Sequence, residues 1–265
     1  MHEANRPIDR EPPLTRAAAA CFRLGTALSQ RIAARLPLES DKQFYNRFDD
    51  QAAAEIRALS EGSTLLDLGG GRRCIYAASA DAAQLRLVAV DISAEELALN
   101  HDVDETCVAN IANSLPFATA SVDLILSRTL LEHVQGVRPA AENMARVLRP
   151  GATALHLVPG RYSLFGTAAR LLPFHLLLRL LHFVAPHFRG QVEFEVEYDQ
   201  CHPSAMRAAF RDAGFQQVTI DVCWSQSAYF EAIPPLFAIV SVYDSLMRRL
   251  KLQRFAAYMI VRAVR

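Results

Sequence analysis

Leu65-Leu66-Asp67-Leu68-Gly69-Gly70-Gly71 is the stretch whose reading decides the fold. An apolar run ends in an acidic residue and breaks into three glycines, the pattern of a buried strand handing over to a turn. Glycine has no Cβ and tolerates positive φ, so such a loop lets the backbone approach a bound ligand closely. The same triplet also suits a plain flexible turn. Asp67 separates the two readings, because a carboxylate two residues before the first glycine can accept hydrogen bonds from an ammonium group held over the loop. An amino-acid-bearing cofactor presents such a group.

Downstream, Leu87-Val88-Ala89-Val90-Asp91-Ile92 is a second apolar run closed by a carboxylate. At the edge of a neighbouring parallel strand, an acid about 20 residues beyond the glycines can accept hydrogen bonds from ribose hydroxyls. Ser93 with Glu96 gives the same segment a second use, as the capping box of a helix. Asn110-Ile111 ends a third strand. Its carboxamide can pair with an adenine edge and its isoleucine can lie against the ring, although an asparagine there also suits an ordinary turn.

Around these segments strands alternate with helices. Strands are expected at 64–68, 85–91, 106–109, 122–127, 152–158, 217–223 and 257–264, and helices at 94–100, 140–148 and 203–213. Alternation of this kind calls for parallel pairing through crossover helices, hence an open, mostly parallel sheet covered on both faces. Two helical runs precede it. The first, 14–36, carries Leu24, Leu28, Ile32 and Leu36 along one side and stops at Pro37; the second, 42–59, carries Phe44, Phe48, Ala52, Ile56 and Leu59. The chain thus divides into an N-terminal helical segment, 1–60, packed on an α/β domain, 61–265. That domain is interrupted by leucine- and aromatic-rich insertions at about 161–198 and 224–254.

Twenty-eight lysines and arginines balance 28 aspartates and glutamates, so no net field draws the chain onto nucleic acid or an anionic membrane. Cys21, Cys74, Cys107, Cys201 and Cys223 are scattered without a C-x-x-C pair, which reads as reduced thiols in a cytoplasmic protein with no metal site. The first 13 residues are polar and broken by proline, unlike an export signal. Arg170, Pro173, His175, Arg179 and His182 interrupt the apolar stretch 164–186, which reads as an amphipathic helical pair and not as a membrane span.

Taken in order, Asp67-Leu68-Gly69-Gly70-Gly71, Val90-Asp91-Ile92-Ser93, the stretch 110–117, Ser127-Arg128-Thr129-Leu130-Leu131-Glu132-His133 and Arg146-Val147-Leu148-Arg149-Pro150-Gly151 resemble the class I S-adenosylmethionine-dependent methyltransferases. The likeness is to the branch that includes ubiquinone and menaquinone biosynthesis enzymes, and Ala213-Gly214-Phe215 extends it toward the C-terminus. It implies a Rossmann-like seven-stranded α/β sheet whose last strand, beginning near Ala257, runs antiparallel. It also implies S-adenosylmethionine as cofactor. By resemblance Asp67 holds the methionine ammonium, Gly69 and Gly71 face the cofactor, Asp91 binds the ribose and Asn110 contacts adenine. Ile92 and Ile111 flank the ring, and Ser127 lies near the methionine end. Three positions depart from the pattern: Arg73 and Ala152 stand where glycine is usual, and Asn110 where aspartate is commoner.

Methyl transfer from a sulfonium is an in-line displacement with an already activated reagent, so positioning can supply most of the catalysis. A hydroxyl acceptor would add a need for a base. His133 is the candidate, since histidine titrates near neutrality, with Glu132, Tyr45 and Tyr198 behind it and a purely structural role open to each. The apolar insertions, with Arg170, Arg179, Arg189 and His182 among them, are expected to form a lid over a small or lipid-like acceptor, to touch a membrane peripherally, or to bury one another as a helical layer. Two other readings stay open: a non-catalytic module of the same fold, and a nicotinamide-dependent oxidoreductase read from the glycine loop and Asp91. Asp67 opposes the latter, because a pyrophosphate wants no carboxylate beside it.

Overall fold

In the central strands, neighbouring residues face opposite cores, because side chains of an extended chain point to alternate sides. Leu65 of β1 (Thr64–Leu68) and Leu87 of β2 (Arg86–Asp91) enter one core; Leu66, Leu68, Val88 and Val90 enter the other. β3 (Glu105–Val108), β4 (Val122–Arg128), β5 (Leu148–Pro159), β6 (Gln217–Cys223) and β7 (Tyr258–Val264) complete the sheet. These elements belong to a computed structural model that describes residues 13–35, 39–173, 175–176, 179 and 196–265.

Strand order is β3-β2-β1-β4-β5-β7-β6, with β1 to β5 parallel and β7 antiparallel to both neighbours. The expected seven-stranded, mostly parallel sheet with an antiparallel last strand is therefore present. From β1 the chain winds outward through β2 and β3, then returns to lay β4 on the other side of β1. The direction of winding reverses at that point, which opens a crevice at the carboxyl ends of β1 and β4.

One face of the sheet is covered by α2 (Asp41–Arg57) and α3 (Ala77–Ala82), the other by α5 (Val137–Val147) and α7 (Pro203–Asp212); α4 (Ala94–Leu97) follows β2. Helix α2 starts where Ser40 and Gln43 form a reciprocal capping box, and buries Phe44, Phe48, Ala52 and Ile56, four residues apart, against the sheet. Beyond the sheet lies a separate helical layer: α1 (Pro13–Ala33), α6 (Leu164–Leu171), the turn Ser227–Phe230 and α8 (Pro234–Arg249). Among the described residues no helix is long and apolar enough to cross a membrane.

Two expectations change, one on α1 and one on α4. Helix α1 exists, but Leu24 and Leu28 face solvent, while Gly25 and Ser29 turn inward. A Cβ on Gly25 would stand 2.4 Å from the carbonyl oxygen of Ala232, so close approach of two backbones, and not leucine burial, seats this helix. The helix after the glycine loop begins only at Ala77, which leaves Arg73 in the irregular stretch before it. Helix α4 ends at Leu97, short of the expected 100, because Asn100 is drawn back to the glycine loop. Leu36, Pro37, Phe174, Leu177, Leu178 and 180–195, with most of the first insertion, lie outside the described residues.

Substituting Phe48→Ala is expected to lower the free energy of unfolding by about 3–5 kcal/mol, because Phe48 is fully buried. Leu24→Ser is expected to change it by less than about 0.5 kcal/mol. Urea denaturation of the two variants measures both, and an equal loss in each would contradict the orientation of α1.

Candidate cofactor and active site

The glycine loop is built by β2. Val90, paired with Leu68 across the sheet, offers its carbonyl to the amides of both Gly69 and Gly70, at 2.7 and 3.3 Å. Gly69 takes φ +75° and Gly71 φ +42°, which folds the chain back over the strand end. A Cβ on Gly70 would come 2.8 Å from that of Ala89, so the middle glycine is required by packing. Asp91 accepts the Gly71 amide at 3.1 Å through one oxygen and the Ser93 amide at 2.9 Å through the other. From beyond α4, Asn100 donates to the carbonyls of Gly70 and Gly71 at 3.2 and 3.0 Å. Sequence reasoning missed Asn100, since nothing in its local pattern points 30 residues back.

Under this loop sits Asp67, buried at the end of β1. Burial pushes its carboxyl up to about 7; hydrogen bonding from Cys74 opposes that and the nearby Asp91 adds to it. The Tyr76 hydroxyl is buried beside it without a hydrogen-bond partner among the described residues, in the field of Asp67, Arg128 and Asp49. Arg73, the residue standing in a glycine position, points away: its side chain is 87% exposed and lies 3.7 Å from Asp102. Arg72 reaches Glu96 at 2.5 and 2.7 Å. Neither arginine enters the loop.

The remaining expected residues divide. Ile92 is exposed beside Asp91, and Asn110 is exposed with its oxygen accepting the Ala112 amide at 2.9 Å. Ile111, by contrast, is turned into the core with Leu115 and Met144. Ser127 shares a 2.7 Å hydrogen bond with Nδ1 of His156, and both are completely buried. Burial lowers that histidine to about 3, so it stays neutral. The structure thus gathers Asp67, Gly69, Gly71, Asp91, Ile92 and Asn110 along the carboxyl edge of β1 to β3, while the side chains of Ile111 and Ser127 face inward.

A second polar cluster follows β4. The turn Leu131–His133 buries Glu132, whose backbone carbonyl accepts the amides of Glu197 and Tyr198, both at 2.8 Å. One carboxylate oxygen, Oε2, has no hydrogen-bond partner among the described residues, and burial raises the group to about 8. Tyr45, Tyr198, Tyr229 and Tyr258 surround it closely enough to interact electrostatically with it or with one another. The hydroxyls of Tyr229 and Tyr258 hydrogen-bond, and the Tyr45 and Tyr258 rings meet edge-on with centroids 5.2 Å apart. Arg128 lies over the Tyr45 ring at 4.9 Å and 3.8 Å from Asp49. His133 is more open, its Nε2 3.8 Å from Glu132. Tyr45, Tyr198, Tyr229 and Tyr258 come from four distant segments, so only folding assembles them. No group of three or more potential metal ligands occurs among the described residues.

Residues 66–156 match the family of the methyltransferase domain, a span that runs from within β1 to within β5 and takes in every candidate cofactor residue and Glu132. An uncharacterized methyltransferase of Mycolicibacterium vanbaalenii is 33% identical over 133 residues, covering 46% of this chain and 52% of that protein. One from Mycobacterium avium is 37% identical over 111 residues, covering 40% and 44%. The chain spans about half the length of the curated relatives it matches. Among solved structures, Haemonchus contortus phosphoethanolamine N-methyltransferase 2 in complex with S-adenosyl-L-methionine superposes with a TM-score of 0.53 at 14% identity, covering 83% of this chain and 52% of that one. The [4+2]-cyclase SpnF superposes with a TM-score of 0.53 at 19% identity, covering 86% and 84%. These likenesses show the fold, a Rossmann-like seven-stranded sheet of the kind that S-adenosylmethionine-dependent methyltransferases use, and residues 66–156 are similar in sequence to the methyltransferase domain family.

Proposed function

We propose that this protein binds S-adenosylmethionine across the carboxyl ends of β1 to β3 and transfers its methyl group to a small or hydrophobic acceptor that enters beside Glu132. The observation that carries this reading is Asp67, a buried carboxyl group with no cation beside it among the described residues, at the strand end from which the glycine loop departs. The cofactor's ammonium supplies the missing charge. Asp91, already holding the loop, keeps lone pairs for the ribose hydroxyls, and Ile92 and Asn110 form an exposed rim for adenine. Arg128 and the Tyr76 hydroxyl suit the cofactor's α-carboxylate, since Tyr76 interacts electrostatically with both Asp67 and Arg128. A nicotinamide dinucleotide fits poorly, because its pyrophosphate would meet two carboxylates.

When bound, S-adenosylmethionine would supply an already activated methyl group with its sulfur as leaving group, so the residues of the site would need chiefly to align an acceptor with it. Where the acceptor loses a proton, Glu132 takes it. A carboxylate raised to about 8 by burial is a far stronger base than an ordinary one, and Tyr45, Tyr198 and Tyr229 lie close enough to interact with it electrostatically and to help orient a polar group. His133 lies more open and one residue on, so Glu132 replaces it as the leading base. The same fold carries a phosphoethanolamine N-methyltransferase, a geranyl diphosphate methyltransferase and a cyclase, so acceptor identity resides in the helical layer and not in the sheet. The described cysteines Cys74, Cys107, Cys201 and Cys223 are free thiols, which suits a reducing cytoplasm.

Calorimetric titration with S-adenosylhomocysteine and, separately, with NAD tests the cofactor. Binding of the first alone is expected, with Asp67→Asn weakening it by about 10- to 100-fold, the loss of one charge-assisted hydrogen bond. Binding of NAD in place of S-adenosylhomocysteine would overturn the assignment. Protons give a second test. Since Asp67 in the free protein sits near 7, above its ordinary 3.8, the folded state binds more protons than the unfolded one between those values. Stability from this group is therefore present at low pH and falls as pH rises toward 7. The ligand's ammonium favours the ionised form, so affinity should drop by about tenfold per pH unit below 7, a slope that Asp67→Asn abolishes.

For an acceptor that must lose a proton, Glu132→Gln is expected to reduce turnover by about 10²- to 10⁴-fold with unchanged affinity for S-adenosylhomocysteine. Wild-type turnover should rise with pH up to about 8, following the Glu132 carboxyl. A variant of full activity, or His133→Ala showing the larger loss, would remove Glu132 from the reaction.

A further inference from the structure

The balanced net charge hides a segregation. Residues 12–38, 160–192 and 224–256 together hold twelve lysines and arginines against two acidic residues, Glu231 and Asp244, and Asp244 is buried. The rest of the chain holds 16 basic and 26 acidic residues. The described parts of these segments include α1, α6 and α8, and the structure joins these three helices into one layer. Gly25 seats α1 on the backbone of Ala232 and the Pro234 ring. Phe165 of α6 stacks on Tyr229 at 5.7 Å, and Leu164 donates its amide to Gln226 at 2.5 Å. Arg254, beyond α8, lies 4.3 Å over the Tyr162 ring that precedes α6.

This layer's outer surface is aliphatic. Ile239, Val242 and Leu246 of α8 and Leu250 at its C-cap, spaced by three, four and four residues, are 48–69% exposed, whereas Phe237, Val240, Asp244 and Met247 are buried. Leu24 and Leu28 of α1 and Leu164 and Leu171 of α6 are also exposed. Ten of the 14 large hydrophobic residues exposed among those described belong to these three segments, counting Leu176 and Leu252, so the apolar surface is concentrated and not scattered. Around it stand the exposed Arg23, Arg31, Arg35, Arg248, Arg249 and Lys251.

We propose that the layer formed by α1, α6 and α8 docks the protein on an anionic lipid bilayer, with the aliphatic stripe entering the acyl boundary and the arginines meeting lipid phosphates. Charge selects this occupant. A symmetric pair of copies would bring two basic faces together, which repel, whereas an anionic bilayer attracts the layer and repels the acidic sheet behind it. A nucleic acid would satisfy the arginines and leave the aliphatic stripe wet. The bilayer satisfies both, and the helices need only lie along the surface. The inner side of the same layer carries Tyr229 against the Glu132 cluster, so a docked protein holds its acceptor entrance close to the lipid.

Vesicle flotation tests this with phosphatidylcholine alone and with phosphatidylcholine containing phosphatidylglycerol. The wild-type chain is expected to float with the anionic vesicles, less so at high salt. The double variants Ile239→Asp with Leu246→Asp, and Arg248→Glu with Arg249→Glu, should each weaken flotation at least about tenfold. Circular dichroism and S-adenosylhomocysteine affinity should not change, which keeps this result separate from the cofactor assignment. The proposal is overturned by absence of flotation, by flotation that neither pair of substitutions affects, or by a dimer in sedimentation velocity that the aspartate pair dissolves.

Discussion

A carboxyl group buried where no cation among the described residues neutralises it is the constraint on which the site depends. Asp67 ends β1 because a parallel strand between two others delivers its last residue to the floor of the crevice. Ionising it there is unfavourable, as its raised proton affinity records. The surroundings relieve that cost only in part, through hydrogen bonding from Cys74, while Val90, Asp91 and Asn100 hold the glycine loop in place. An acid buried below a held glycine loop, with no cation beside it among the described residues, favours a ligand that brings its own positive charge. Local instability is retained here as binding specificity.

The second constraint is that one helical layer must serve two solvents. Its inner side meets the Glu132 cluster, where tyrosine hydroxyls and a strongly basic carboxylate are kept from water. Its outer side carries aliphatic residues on every exposed turn of α8. Small residues make this possible, since Gly25 lets α1 lie close to the start of α8 without using its leucines for packing. The leucines are thereby released to the surface. Chemistry that belongs to the sheet and access that belongs to the helices can then vary separately, which is how relatives of one fold come to act on different molecules.

Much of the fold was legible because strand and turn signals are local. Leu65 to Gly71 and Leu87 to Asp91 announce their strands by apolar runs, and the helix from 42 announces its buried face by Phe44, Phe48, Ala52 and Ile56. Asp67, Asp91 and Asn110 were legible for the same reason, each being a polar residue at the end of an apolar strand. Where periodicity alone was the guide it misled: Leu24 and Leu28 share a helical side, but the side that packs is that of Gly25 and Ser29. Ile111 and Ser127 likewise stand at the right positions in the chain, yet their side chains turn into the core and to His156.

By itself, then, the sequence determined the elements, their parallel order and the acids at the strand ends, since these follow from the residue pattern within each short segment. Tertiary structure alone decided that Asn100 holds the glycine loop, that Arg73 stays out of it, and that Tyr45, Tyr198, Tyr229 and Tyr258 close around Glu132. It also decided that a chain of zero net charge presents one basic, aliphatic face. Those outcomes depend on which surfaces meet after the chain has crossed the sheet, and contacts between residues 30 to 200 positions apart leave no periodicity for a local pattern to carry.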